Sequence, residues 1–100
     1  MKKLNIGSGK EIIKGWLNIG LFSENDLFSD IKTPYGKIVI INEIEVLHMD
    51  VRDKIPVKNG SVSCIYTSHF IEHLNFQEGI QFLKRCYQYL KKRHYKINIP

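Results

Sequence analysis

Several things are missing from this chain, and each absence removes a class of protein. No apolar run approaches a membrane span, and Met-Lys-Lys-Leu-Asn meets a glycine pair before any signal-peptide core could form. Cysteine is scarce. Cys64 and Cys86 lie within apolar patterns and lack metal-ligand spacing, so buried thiols in a reducing compartment are expected rather than a disulfide scaffold. The expected location is therefore the cytoplasm. A third glycine is also absent after Gly7-Ser8-Gly9: the nicotinamide and flavin fingerprint places one where Ile12 stands. The Gly-x-x-x-x-Gly-Lys-Ser/Thr spacing of a P-loop does not occur either.

What remains is an ordinary globular balance, 43% hydrophobic and 25% charged, in a length that suits one domain over residues 1–100. The formal charge of +5 is spread along the chain apart from Lys91-Lys92-Arg93. That cluster suits the C-terminal end of a helix, where cations meet the negative dipole end, better than a nucleic-acid patch.

Leu4-Asn5-Ile6-Gly7-Ser8-Gly9-Lys10 is a short apolar strand running into two glycines. It reads either as a strand-ending turn or as a loop whose backbone approaches a cofactor, since neither turning point carries a Cβ. Alternation in Trp16-Leu17-Asn18-Ile19-Gly20-Leu21 predicts a second strand, with Trp16 packing at core or rim. Periodicity fails over 22–36, where an irregular connection with a turn of helix near 26–31 is expected. Residues 37–41 are β-branched and suit a short extra strand or an ordered loop, and 45–50 a firmer strand ending on Asp50.

Ser63-Cys64-Ile65-Tyr66-Thr67-Ser68 suits a strand buried on both faces. Asn75 then stands as a helix N-cap with Glu78 completing a capping box, and Phe76, Ile80, Leu83, Tyr87 and Leu90 form one stripe on that helix. Residues 95–99 close the pattern as a strand. Connections too long for hairpins in several places predict an α/β, Rossmann-like, mainly parallel sheet. Ligands of such sheets bind beyond the C-terminal strand ends, where Gly7, Gly20, Asp50, Ser68 and His69 fall.

These blocks, with Gly-Trp-Leu-Asn-Ile, His-Met-Asp-Val-Arg-Asp-Lys-Ile-Pro and Tyr-Thr-Ser-His-Phe-Ile-Glu-His-Leu in this order, resemble the class I S-adenosylmethionine-dependent methyltransferases. The small bacterial type 11-like group is the nearest in pattern, and the chain looks truncated after the fifth strand of that fold. The resemblance implies S-adenosylmethionine as cofactor, its methionine part over Gly7, Ser8 and Gly9. Asn5 stands where many relatives place an acid that helps hold the cofactor's amino group.

Asp50, with Val51 beside it, matches the acidic position near the adenine, against a plain strand-end cap. Ser68 and His69 match the loop beside the transferred methyl, which makes His69 the candidate base. His69, Glu72 and His73 equally suit an ordered loop that caps the helix, and they lack the further ligands a zinc site needs. The implied activity is methyl transfer to a small-molecule acceptor, with a catalytically inactive remnant acting as a binding module as the alternative.

Departures from the family pattern are specific. Gly20 replaces the acid that accepts the ribose hydroxyls, Lys92-Arg93-His94 replaces Pro-Gly-Gly, and Ser63 replaces a frequent Asp. A sheet ending at its fifth strand leaves an open edge, for which an oligomer or a missing C-terminal partner segment is expected.

Overall fold

The protein is described here from a computed structural model, which covers residues 2–7, 12–21, 34–67, 70–90 and 96–98. Strands β1 (Lys2–Ile6), β2 (Leu17–Gly20), β3 (Ile38–Ile41), β4 (Ile44–His48), β5 (Val62–Thr67) and β6 (Lys96–Asn98) form one sheet, with helix α1 (Phe76–Tyr89) between the last two. The strand order is β3-β4-β2-β1-β5-β6. Every pairing is parallel except β3 with β4, so the expected α/β, Rossmann-like, mainly parallel sheet is what forms. The order reverses about β1, because the chain moves outward through β2 to β4 and then returns to the other side for β5.

The segment 37–41, for which strand and loop both stood open, is an edge strand. It is joined to β4 by the two-residue turn Asn42–Glu43, whose φ angles of 49° and 67° are those of a tight hairpin turn. β4 stops at His48, two residues short of Asp50. The connection over 22–33, and the basic cluster at 91–93, lie outside the described residues.

The main core lies on one face of the sheet. Leu4 and Ile6 of β1 are in register with Leu17 and Ile19 of β2 and with Ile65 and Thr67 of β5. Leu4, Ile6, Leu17, Ile19 and Ile65 are buried in one cluster with Phe82, Cys86 and Tyr89 of α1. On the other face Asn5 and Asn18 are both buried, and their amides join three strands and a loop. Asn5 Nδ2 donates to Asn18 Oδ1 at 2.9 Å, and Asn18 holds the Ile13 N–H at 2.8 Å. Asn18 Nδ2 also reaches the carbonyls of Ile13, Trp16 and Glu45. Satisfying these polar groups internally is what allows them below solvent.

Two expectations need correction. Strand β5 is not buried throughout: Val62, Ile65 and Thr67 are buried, but Ser63, Cys64 and Tyr66 are half-buried. The helix forms where its pattern places it, with Asn75 and Glu78 in a reciprocal capping box at 2.8 and 3.1 Å, but it is rotated from the expected stripe. Phe76, Ile80 and Tyr87 are exposed, Leu83 is half-buried, and the buried face runs through Phe82, Cys86 and Tyr89 to Leu90. Steps of four and three join 82, 86 and 89 as well as they join 76, 80 and 83, so period alone does not choose between the stripes. The Tyr89 hydroxyl favours the observed one, because it accepts the buried N–H of Ile55 at 2.9 Å.

Candidate functional site

Parallel strands bring their C-terminal ends to one rim, and hydrogen bonds tie those ends together. The Gly7 N–H donates to the Ile19 carbonyl at 2.8 Å, and the Met49 N–H to the Gly20 carbonyl at 3.0 Å. Gly7, Gly20 and the Met49–Asp50 step thus stand in sequence along the edge.

Gly7 has φ +69°, and an added Cβ would lie 2.7 Å from Phe70 Cβ. Left-handed backbone and a closed approach by Phe70 both demand glycine there. Phe70 itself stacks edge-on against Phe82 of α1, 5.2 Å between ring centres, so the turn after β1 is backed by the helix layer. Ser8, Gly9, Ser68 and His69 lie outside the described residues.

Asp50 sits in a cluster of polar groups with Arg52, Tyr35 and Asp53. Arg52 Nε lies 3.0 Å from Oδ1 and 3.1 Å from Oδ2, Nη2 lies 2.6 Å from Oδ2, and the Arg52 N–H donates to Oδ1 at 3.0 Å. These hydrogen bonds hold the Asp50 carboxyl below its ordinary value of 3.8 against a smaller opposing effect of burial, so it is ionised at neutral pH. The same partnership raises the Arg52 guanidinium.

Arg52 Nη1 also reaches Glu78 Oε2 at 3.4 Å, which links Asp50 to the capped first turn of α1. Arg85 of α1 donates to the Arg52 carbonyl, and a groove of about 300 Å3 opens between Arg52, Gln77, Glu78, Gln81 and Arg85. From the opposite side the Tyr35 hydroxyl accepts the Asp50 N–H at 3.0 Å and donates to Asp53 Oδ2 at 3.2 Å.

Thr67 ends β5 beside Ile6, next to the point where strand order reverses. Its Oγ1 is buried with no hydrogen-bond partner. Such an orphan costs about 1–3 kcal/mol unless a ligand or water satisfies it. The structure therefore offers a left-handed glycine turn, an ionised carboxylate and an unsatisfied hydroxyl at the ends of β1, β4 and β5.

A family model described as a methyltransferase domain matches residues 4–95. The chain belongs to the methyltransferase domain family. No curated protein and no solved structure matches it. The match runs from the first apolar residue of β1 to the residue before β6, so it takes in Gly7, Gly20, Asp50 and Thr67 together.

Of the residues singled out from the methyltransferase pattern, Gly7 and Asp50 stand on the rim. Val51 is turned into the main core, and Asn5 is buried with its amide donating to Asn18. Reading the sequence did not single out Asn18, Tyr35, Arg52 or Thr67. Arg52 was signalled by its spacing of two from Asp50, and Thr67 by closing a β-branched run. Tyr35 carried no signal, because it reaches Asp50 only once the β3–β4 hairpin folds back and brings it beside His48.

Proposed function

We propose that this methyltransferase domain binds S-adenosylmethionine along the C-terminal rim and directs its methyl group to a small-molecule acceptor. The observation that carries the reading is the family match over 4–95 combined with the rim itself, where Gly7, Asp50 and the orphaned Thr67 hydroxyl stand at the C-terminal ends of parallel strands β1, β4 and β5.

When bound, the cofactor supplies a methyl on a sulfonium that is already activated toward a nucleophile. The chain's own work is then alignment, exclusion of water and, for an acceptor that must lose a proton, a base. Gly7, Ser8 and Gly9 would hold the methionine part, with Asn5 and Ser68 as further cofactor-binding residues. Asp50, with Val51 beside it, would accept a hydrogen bond from the adenine amine, and His69 would take the acceptor's proton. Three donors of Arg52 already occupy the Asp50 carboxylate, so a nucleobase amine takes its remaining acceptor position or displaces one of them. Cytoplasmic placement rests on the cysteine usage; among the described residues no helix is long and apolar enough to cross a membrane.

A second reading draws on Gly20. It is buried at the end of β2 and has no side chain to accept ribose hydroxyls, a loss of about 1.5–3 kcal/mol or about ten- to a hundredfold in affinity. On this reading the domain binds the cofactor weakly, or acts as a binding module without turnover. Calorimetric titration with S-adenosylmethionine and S-adenosylhomocysteine separates the cases. Saturable heat that Asp50→Asn weakens, with methylation of some member of an acceptor panel, supports the enzyme. Heat without transfer supports the module, and no heat at millimolar ligand overturns both.

A further inference from the structure

Among the described residues strand β3 is an edge of the sheet with no strand beyond it. Its four residues are Ile-Val-Ile-Ile, with no proline or charge among them, the kind of edge that natural sheets usually protect. The two-residue turn at Asn42–Glu43 fixes which backbone groups face outward. Ile41 opposes Ile44 and Val39 opposes Val46, and a turn of this length makes those the pairs that exchange hydrogen bonds. The N–H and C=O groups of Ile38 and Ile40 therefore point away from β4. Among the described residues no strand meets them, and Ile40 is 69% exposed and Ile38 40% exposed.

The geometry points to a homodimer in which two copies of β3 pair antiparallel about a two-fold axis through Val39, extending the sheet across both subunits. In that register Ile38 of each copy faces Ile40 of the other, and each such pair exchanges two hydrogen bonds through groups already turned outward. Val39 faces its own copy in the intervening pair. The pattern is self-complementary because its outward groups lie symmetrically about one residue, so a second copy satisfies them all in one register.

Charge favours the same arrangement. Antiparallel pairing keeps Lys37 of one copy away from Lys37 of the other and sets it opposite Ile41, two positions from Glu43, whose carboxylate is shared with Lys14 of its own chain at 2.8 Å. Parallel pairing would set like beside like. Ile38 and Ile40 share a face of the strand, so the dimer gathers the exposed isoleucines of both copies into one apolar patch. A seam of one short strand is small, and the dimer is expected to form in a concentration-dependent way rather than as an obligate pair.

Cross-linking reads the register directly. Opposed residues that do not exchange hydrogen bonds have Cα atoms about 4.5 Å apart, inside the range a disulfide spans. Val39→Cys is expected to give an oxidised dimer whose linked peptides mass spectrometry assigns to position 39, while Ile40→Cys gives no link above wild type. In sedimentation, Ile40→Lys, at an exposed position, is expected to raise the dissociation constant at least about tenfold with unchanged circular dichroism. A wild-type chain that stays monomeric to millimolar concentration overturns the proposal and leaves the edge to a strand from another protein. A link through position 40 rather than 39, or a dimer that Ile40→Lys leaves intact, overturns it in favour of another register or another seam.

Discussion

Phe82 and Phe76 stand on the same helix, one 4% exposed and the other 82% exposed. Around them α1 carries two apolar stripes of the same period, one through Phe82, Cys86 and Tyr89 and one through Phe76, Ile80 and Tyr87. The stripe buried against the sheet contains a thiol and a phenol, and the stripe left outside contains an isoleucine. Hydrophobicity summed along a stripe therefore did not decide the rotation of the helix. What distinguishes the buried face is fit: it delivers the Tyr89 hydroxyl to the Ile55 N–H and sets Phe82 edge-on to Phe70, behind the Gly7 turn.

The contrast can be broken most strongly through Cys86. Burial pushes its thiol from 9.0 up to about 12. At pH 8 its thiolate fraction is then about a thousandfold below that of an unburied thiol, so alkylation followed by mass spectrometry should label it only as fast as the protein unfolds. Labelling at the rate of an ordinary thiol would place position 86 on the outer face.

Next in size is Phe82→Ala, expected to cost about 3–5 kcal/mol in denaturant unfolding through lost burial and the cavity left behind. Tyr89→Phe keeps the ring but strands the Ile55 N–H, a loss of about 1–3 kcal/mol that Tyr87→Phe, at an exposed ring, should not reproduce. Removing the cap with Asn75→Ala should cost about 1 kcal/mol, since it takes away the side-chain oxygen that accepts the Glu78 N–H. Smallest is Phe76→Ala, expected within about 0.5 kcal/mol of wild type. A larger loss there than at Phe82 would reverse the assignment of the two faces.

The same distinction between period and fit governs what could be read before the fold was known. The strands, the α/β class, the Asn75 cap and the turn at Gly7 were legible, because each depends on residues within a few positions of one another. The extra strand at Ile38–Ile41 was legible only as an option, since β-branched residues suit an edge strand and an ordered loop alike. Its antiparallel partner β4 and the Asn42–Glu43 turn make it a strand.

Asp50 was legible as a carboxylate at a strand end, but its partners were only partly so. Arg52 is a neighbour in sequence, while Tyr35 comes from 15 positions before Asp50, and Glu78, which holds the other side of Arg52, from 26 positions beyond that arginine. Asn18 illustrates the same limit. Alternation marks it as the polar side of a strand, yet it is fully buried, because Ile13, Trp16 and Glu45 bring carbonyls to its amide and Asn5 brings a donor to its oxygen.

By itself the sequence determined where the chain is extended, where it coils and where its backbone must turn left-handed, since those follow from local sterics, capping and periodicity. Only the tertiary structure decided which stripe of α1 is covered, which arginine donors hold Asp50 and which hydroxyl is left unsatisfied at the end of β5. Those outcomes depend on strand order and register, which bring distant positions within hydrogen-bond reach. No spacing along the chain encodes them.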